Sequence, residues 1–374
     1  MQPGNANQRL ATLRGACRHA LWCVLLTLGV STSVLGRVAR DTPGQLKIVV
    51  IRDRLTLAVT RYPQVYLHGQ IDADAPQRFE ALMRSGRIPA GSDIYLNAAS
   101  GDPQAGMALG RIFRANGMAT HLGTPRKSRR ASVAAKTAVC VDACVYAYLG
   151  GLYRWTPSGR DRIGLTSLPT AASKVQPELA RYLKDMGIDL AAFGRAVTSS
   201  SGGLVWMTAD PMLSAGLANN GRLPLTATVD LSTPAPTLEL RQVVRKGSHR
   251  LTIQCQPGQT IVTAYDEVGL QRARQVVARG TRSYFQLNDK QVLNQPRDGA
   301  GVADNALMIR RSYPSAELVD LVSSWSFGAW VSGRSGAFRD GFSMPLHTVF
   351  GQLKDYYAAC WRAAPWPPRQ NTTG

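Results

Sequence analysis

The chain has 374 residues, enough for two hydrophobic cores, and its 44 basic side chains against 24 acidic ones give a net charge of +20. Beyond one apolar run near the start, no second run is long enough for a helix to cross a bilayer, which argues against a bundle of membrane-spanning helices. In the cytosol such a charge points to nucleic acid; outside it, an anionic lipid, an acidic polysaccharide or an acidic protein is the expected partner, with a merely well-hydrated arginine-rich surface as the plainer alternative.

The first segment reads as an address. Arg9, Arg14 and Arg18 precede an apolar run over 20–30, and mostly small residues follow over 31–36. This is the layout of a secretory signal peptide, with Val34 and Gly36 at the two small-residue positions before a cut after Gly36. An uncleaved anchor is the alternative, but the run is shorter than the roughly 20 residues a spanning helix needs. Cys23 lies inside the run, not at its end, so a lipoprotein is not expected. The body of the chain is therefore expected in the periplasm or outside the cell, with no transmembrane helix after cleavage. Nucleic acid then drops out as a partner.

Residues 46–51, 55–59 and 65–69 are expected as strands, with a turn at Arg52-Asp53-Arg54. A helix over 75–84, a strand over 93–97, a helix over 104–116 and a strand over 118–122 follow. Strands alternating with helices at these spacings argue for βαβ units and a largely parallel sheet. Two more helices, 177–186 and 190–197, close this part. The turn at Asn219-Asn220-Gly221 and the Pro/Thr-rich stretch to Pro236 change the pattern. Short β-branched and aromatic segments at 238–244, 250–255, 260–265, 283–287 and 307–310 then point to a β-rich unit. Its helices are expected at 316–321 and 345–361. The domain layout is thus a leader at 1–36, an α/β domain at 45–221, a linker at 222–236, a smaller β-rich α+β domain at 237–363, and a disordered tail at 364–374.

Export makes Cys140, Cys144, Cys255 and Cys360 disulfide candidates, since Cys17 and Cys23 leave with the leader. Four cysteines allow three pairings. Cys140 with Cys144 and Cys255 with Cys360 keeps each pair inside one domain. Zinc competes, but no histidine pair has ligand spacing near these cysteines, so neither metal nor cofactor is expected.

The most informative stretch is Cys140-Val141-Asp142-Ala143-Cys144, running into Val145-Tyr146-Ala147-Tyr148-Leu149-Gly150-Gly151. Upstream lies Leu96-Asn97-Ala98-Ala99-Ser100-Gly101-Asp102-Pro103-Gln104-Ala105-Gly106, and downstream Arg162-Ile163-Gly164-Leu165-Thr166-Ser167. In this order the segments resemble exported bacterial Clp-protease-like proteins of the Clp/crotonase superfamily. The first is similar to the family's Cys-x-Ser-Ala-Cys and the second to its Leu-Asn-Ser-Pro-Gly-Gly-Ser-x-x-Ala-Gly. Lys184-Asp185-Met186-Gly187-Ile188-Asp189 adds a phrase of the exported branch, and the likeness spans about 46–221. It implies a Clp/crotonase-like domain, assembly of the chain into a homo-oligomer, and a serine nucleophile where Asp142 stands.

A carboxylate cannot give up a proton to a neighbouring base as a hydroxyl does. The family's histidine base maps to Thr166, and the aspartate that orients it to the stretch Ser199-Ser200-Ser201-Gly202-Gly203. The first glycine of the family's oxyanion turn maps to Ser100, beside a retained Gly101; a Cβ tolerates positive φ poorly, which puts that amide's aim in question. With Asp142, Ala143, Thr166, Ser100 and Gly101 as degenerate-site positions, the expectation is a non-catalytic binding or scaffold protein of the envelope. The alternative is a hydrolase working through Asp142 with His121 or Thr166 assisting. A dense basic loop, Arg126, Lys127, Arg129 and Arg130, with Ser132 and Lys136 nearby, is a candidate anion-binding segment or else a solvated loop. Trp325, Phe327 and Trp330 are expected in the core.

Overall fold

The computed structural model describes residues 44–60, 62–125, 137–167, 176–199, 202–232, 235–292, 300–334 and 337–365. The leader, the Arg126–Arg130 loop with Ser132 and Lys136, Ser200, Ser201 and the tail from 366 lie outside them.

The fold is mixed α/β. The first half runs β1 Lys47–Ile51, α1 Arg54–Thr60, β2 Gln64–Ile71, α2 Ala75–Arg84, β3 Asp93–Gly101, α3 Pro103–Ala115, β4 Ala119–Leu122, β5 Val139–Val141, α4 Ala143–Leu149, β6 Tyr153–Arg154, β7 Arg162–Thr166, α5 Pro177–Asp185, α6 Leu190–Val197, β8 Leu204–Met207 and α7 Ala209–Ser214. Strands β2 to β7 pair in parallel, and antiparallel β1 and β8 close the edges. β3 is the branch point. Its first residues pair with β4, and Ala98 further along pairs with Cys140 of β5. The segments that carry Ser100 and Asp142 therefore run side by side.

Residues 55–59 are helix, not the expected strand. Their alternating pattern suggested a half-buried strand, yet Leu55 and Leu57 are exposed. The Asp53 carboxylate accepts from the Leu55 and Thr56 amides at 3.1 and 3.0 Å and from the Thr56 hydroxyl at 2.7 Å, a local cap that starts α1.

Glycines set the closeness of α3 and α4. A side-chain carbon on Gly106 would overlap the Ala143 carbonyl, and one on Gly110 would meet the Tyr182 hydroxyl and the Tyr146 carbonyl. Gly150 lies just as closely on Gly110. The carbonyls at the end of α4 are taken up by two guanidinium groups. Arg154 donates to Leu149, Gly151, Gly216 and Leu217, and Arg114 to Leu149, Gly150, Gly151 and Met186. Cations at a helix C-terminus complement its dipole as well as its free acceptors. Burial, then the neighbouring Arg114 charge, pushes Arg154 down to about 10.

The second half comprises β9 Thr226–Asp230, β10 Thr237–Val244, β11 Gly247–Gln256, β12 Gln259–Asp266, α8 Leu270–Arg279, β13 Arg282–Leu287, β14 Lys290–Gln291, β15 Ala300–Ala303, β16 Ala306–Pro314, α9 Leu318–Val322, β17 Ser326–Ser332, β18 Arg339–Pro345 and α10 Phe350–Ala363. One antiparallel sheet runs β15-β16-β12-β11-β10-β9 and another β14-β13-β17-β18. β9 lies where a linker was expected, paired with β10 through Ala227↔Leu240 and Val229↔Leu238. Ala364, expected in the tail, is buried and donates its amide to the Cys360 carbonyl at 2.9 Å. Phe327 is in the core, whereas Trp325 is 66% exposed, against expectation.

Buried apolar residues form two clusters, one drawn from 46–218 and one from 225–364. A disulfide joins Cys255 on β11 to Cys360 on α10, and the Tyr356 hydroxyl donates to the Ile253 carbonyl at 2.9 Å, so helix and sheet share the second core. Arg245 ties the halves together. It reaches Asp93 at 3.0 Å and the Gly91 carbonyl, with its guanidinium 4.6 Å from the centre of the Tyr62 ring. All described residues belong to one compact unit.

Candidate functional site

Asp142 sits between the end of β5 and the start of α4 with φ 45° and ψ −100°, a backbone that L residues with a side chain rarely adopt. Three local contacts hold it there. A disulfide joins Cys140 to Cys144 across the turn, with Cα atoms 5.2 Å apart. The Asp142 amide donates to Gly164 on β7 at 3.2 Å, and its carbonyl accepts from Tyr146 at 3.0 Å, the first bond of α4.

The carboxylate turns toward Thr166. Oδ1 accepts from the Thr166 amide at 2.7 Å and Oδ2 from its hydroxyl at 2.9 Å. The two positions that the family likeness assigns to nucleophile and base are thus in direct contact, but as a carboxylate and a hydroxyl. Neither removes a proton from the other at neutral pH, and no histidine is bonded to either among the described residues. Beside them burial, then the Asp142 charge, pushes the Tyr146 phenol up to about 12, so it stays protonated.

Across the branch point the oxyanion arm is a strand, not a turn. β3 continues through Gly101, with Gln70↔Ser100 and Ile71↔Gly101 in register against β2. Ser100 has no positive φ, so its Cβ carries none of the anticipated strain. Gly101 is needed for a different reason: a Cβ there would lie 2.6 Å from that of Ile71. Asp102 then caps α3, accepting from the Gln104 amide at 2.7 Å and the Ala105 amide at 3.0 Å. Two amides at the start of α3 are thus already bonded to a carboxylate. Asn97 holds the next strand in place, its side-chain oxygen accepting from the Val139 amide at 2.9 Å. Ala143 is buried, its carbonyl against Gly106.

His121 lies elsewhere. Its ring is stacked between Tyr95 at 4.8 Å and Trp155 at 4.4 Å, continuing a ladder from Tyr66 across neighbouring strands. Its Nε2 is 3.8 Å from the Asp93 carboxylate that also binds Arg245. Burial works against ionisation of Asp93, but His121 and Arg245 hold its pKa below the ordinary value. The ladder belongs to the junction of the halves and brings no base to Asp142.

Sequence reasoning missed a second, largely buried titratable pair. His249 on β11 and Asp266 on β12 stand opposite each other in the hairpin register, with Nε2 and Oδ1 3.4 Å apart. The His249 ring lies flat on Phe342 at 4.4 Å. Burial, then Arg222, drives His249 down to about 4; burial, then Asp340, drives Asp266 up to about 7. The usable signal was a histidine and an aspartate at matching positions of two adjacent strands. Among the described residues no three His, Cys, Asp or Glu side chains gather as a metal site, and no helix is long and apolar enough to cross a membrane.

No family model matches the chain, and no curated protein matches it. Among solved structures, a point mutant of the membrane-bound stomatin-specific protease 1510-N is similar at 14% identity over 41% of this chain and 75% of that one, with a TM-score of 0.27. A point mutant of ClpP1 from Listeria monocytogenes is similar at 13% identity over 44% of this chain and 94% of that one, with a TM-score of 0.30. Likeness this loose assigns no family.

Proposed function

We propose that the chain is an exported, non-catalytic binding or scaffold protein of the bacterial envelope, built on a Clp/crotonase-type α/β domain whose hydrolytic site has been replaced by a structural contact. The observation that carries this reading is the Asp142–Thr166 pair: both carboxylate oxygens are occupied by donors of the residue that would have to be the base. Supporting it, the amides at the start of α3 are capped by Asp102. Two disulfides fit an oxidising compartment, and a net charge of +20 fits an acidic partner.

The test is turnover of a generic nitrophenyl ester, together with labelling by a fluorophosphonate, for wild type, Asp142→Asn and Asp142→Ser. Neither turnover nor labelling is expected from any of the three, because a restored hydroxyl would still lack an imidazole. Ester turnover by the wild type that disappears in Asp142→Asn overturns the reading in favour of a hydrolase working through Asp142. A pull-down from envelope extract with wild type and Asp142→Ser should recover the same partner in both.

A further inference from the structure

The two halves meet around a cavity of about 310 Å³. Its place between two cores and its size, near the lower end of the usual ligand-site range, are those of a small-molecule pocket. Trp155, Val244 and Val268 contribute its apolar lining, and His249 and Asp266 its most sheltered polar part. Trp155 is placed from both sides: one neighbour is the His121 ring, and a Cβ on Gly221 would stand 2.6 Å from the indole. The surface is therefore preformed, which spares a ligand the cost of ordering it.

Charge around the cavity is one-sided. Arg222, Arg245 and Lys246 line it against a single carboxyl, Asp266. Arg245 is committed to Asp93 and Gly91, and Arg222 makes one long contact to the Ser343 carbonyl at 3.4 Å. Lys246 is exposed, with no hydrogen-bond or ion-pair partner among the described residues. A site with an indole wall and a free ammonium at its edge suits a flat apolar body carrying one negative group.

We propose that this cavity binds a small amphipathic carboxylate, its apolar body against Trp155 and Val268 and its carboxylate at the rim beside Lys246 and Arg222. The site is separate from the Asp142 turn and does not depend on that turn being inert. Asp266 gives the binding a pH signature. The groups acting on it are His249 beside it on β11, Asp340 of β18, Arg272 of α8 and its neighbour Glu267. Its carboxyl is uncharged below about pH 7 and charged above it, where it repels a bound anion. His249, held down to about 4, stays neutral throughout that range.

The experiment titrates 2-naphthoate and its uncharged counterpart 2-naphthamide into the full chain at pH 6, followed by tryptophan fluorescence and calorimetry. Saturable one-to-one binding is expected for naphthoate, with naphthamide weaker by about tenfold for want of the ion pair. Lys246→Glu, at an exposed position, should weaken naphthoate by about tenfold and leave naphthamide unchanged. Val268→Trp, which fills the cavity, should abolish both. Naphthoate affinity should fall between pH 6 and 8, and Asp266→Asn should remove that fall. Equal binding of acid and amide, indifference to Lys246→Glu, or absence of saturable binding at millimolar naphthoate overturns the proposal. Because Lys246→Glu alters only an exposed side chain, it keeps the proposal open to refutation even if Val268→Trp fails to fold.

Discussion

Asp142 accepts both donors of Thr166, the amide and the hydroxyl, from a backbone position at φ 45°. The contact fastens the turn before α4 to the end of β7. Its energetics separate into two parts that substitution can resolve. Asp142→Ala and Asp142→Gly both lose the carboxylate, but only glycine accepts the backbone without strain. The alanine variant should therefore be less stable than the glycine variant by about 1 kcal/mol in urea denaturation. Equal stability would mean that the turn relaxes once the carboxylate is gone.

The two disulfides close loops of very different size, with sequence separations of 4 and 105. The chain-entropy model assigns about 2 kcal/mol to the short loop and about 4.7 kcal/mol to the long one. Replacing Cys255 and Cys360 together by alanine should accordingly destabilise the chain about twice as much as replacing Cys140 and Cys144. Differential scanning calorimetry on the two double variants checks this; the reverse order would show that the short bridge is what holds the strained Asp142 turn.

Arg154 is buried with no carboxylate partner among the described residues, where its guanidinium is bonded to carbonyls alone. Arg154→Met leaves those acceptors dry and should cost about 3 to 5 kcal/mol. Arg154→Lys keeps the charge but not the fork. One ammonium cannot reach Leu149, Gly151, Gly216 and Leu217 together, so a loss of about 2 kcal/mol should remain. Urea unfolding with lysine within error of wild type would show that charge at the end of α4, and not the bonding pattern, is what matters.

What the sequence made legible was what local pattern controls. Helices α2 and α6 begin and end where the sequence pattern places them, and the strand–helix turn at Asp142 follows from a short apolar segment beside paired cysteines. The pairing of Cys255 with Cys360 came from keeping each bridge within one domain. Residues 55–59 misled because a period-two pattern coincided with a capping aspartate, and the cap decided the structure. At Ser100 the error was one of context: β3, paired with β2, runs to Gly101, four residues past the expected strand end at Asn97, and removes the turn. His249 and Asp266 were missed because their meeting shows only once the register of one hairpin is fixed, and their burial only with Phe342 packed over them. The same holds for the helix contact at Gly106, whose meaning appears only with Ala143 opposite it.

The His249–Asp266 pair also makes a prediction for stability against pH. Asp266 titrates near 7 in the folded chain against an ordinary 3.8, so its contribution is full below about pH 4 and is lost as the pH rises through 7. His249 is held near 4 against an ordinary 6.5, so its contribution is present above 6.5 and lost as the pH falls toward 4. Between pH 4 and 7 the two oppose each other, and the wild type should show a shallow profile there. Asp266→Asn removes only the first. Its melting temperature relative to wild type should therefore climb from pH 5 to about pH 7, where only the unfolded wild type ionises this carboxyl, and level off above it. A constant offset across that range would mean that Asp266 is ionised throughout, with His249 carrying the proton as a buried ion pair.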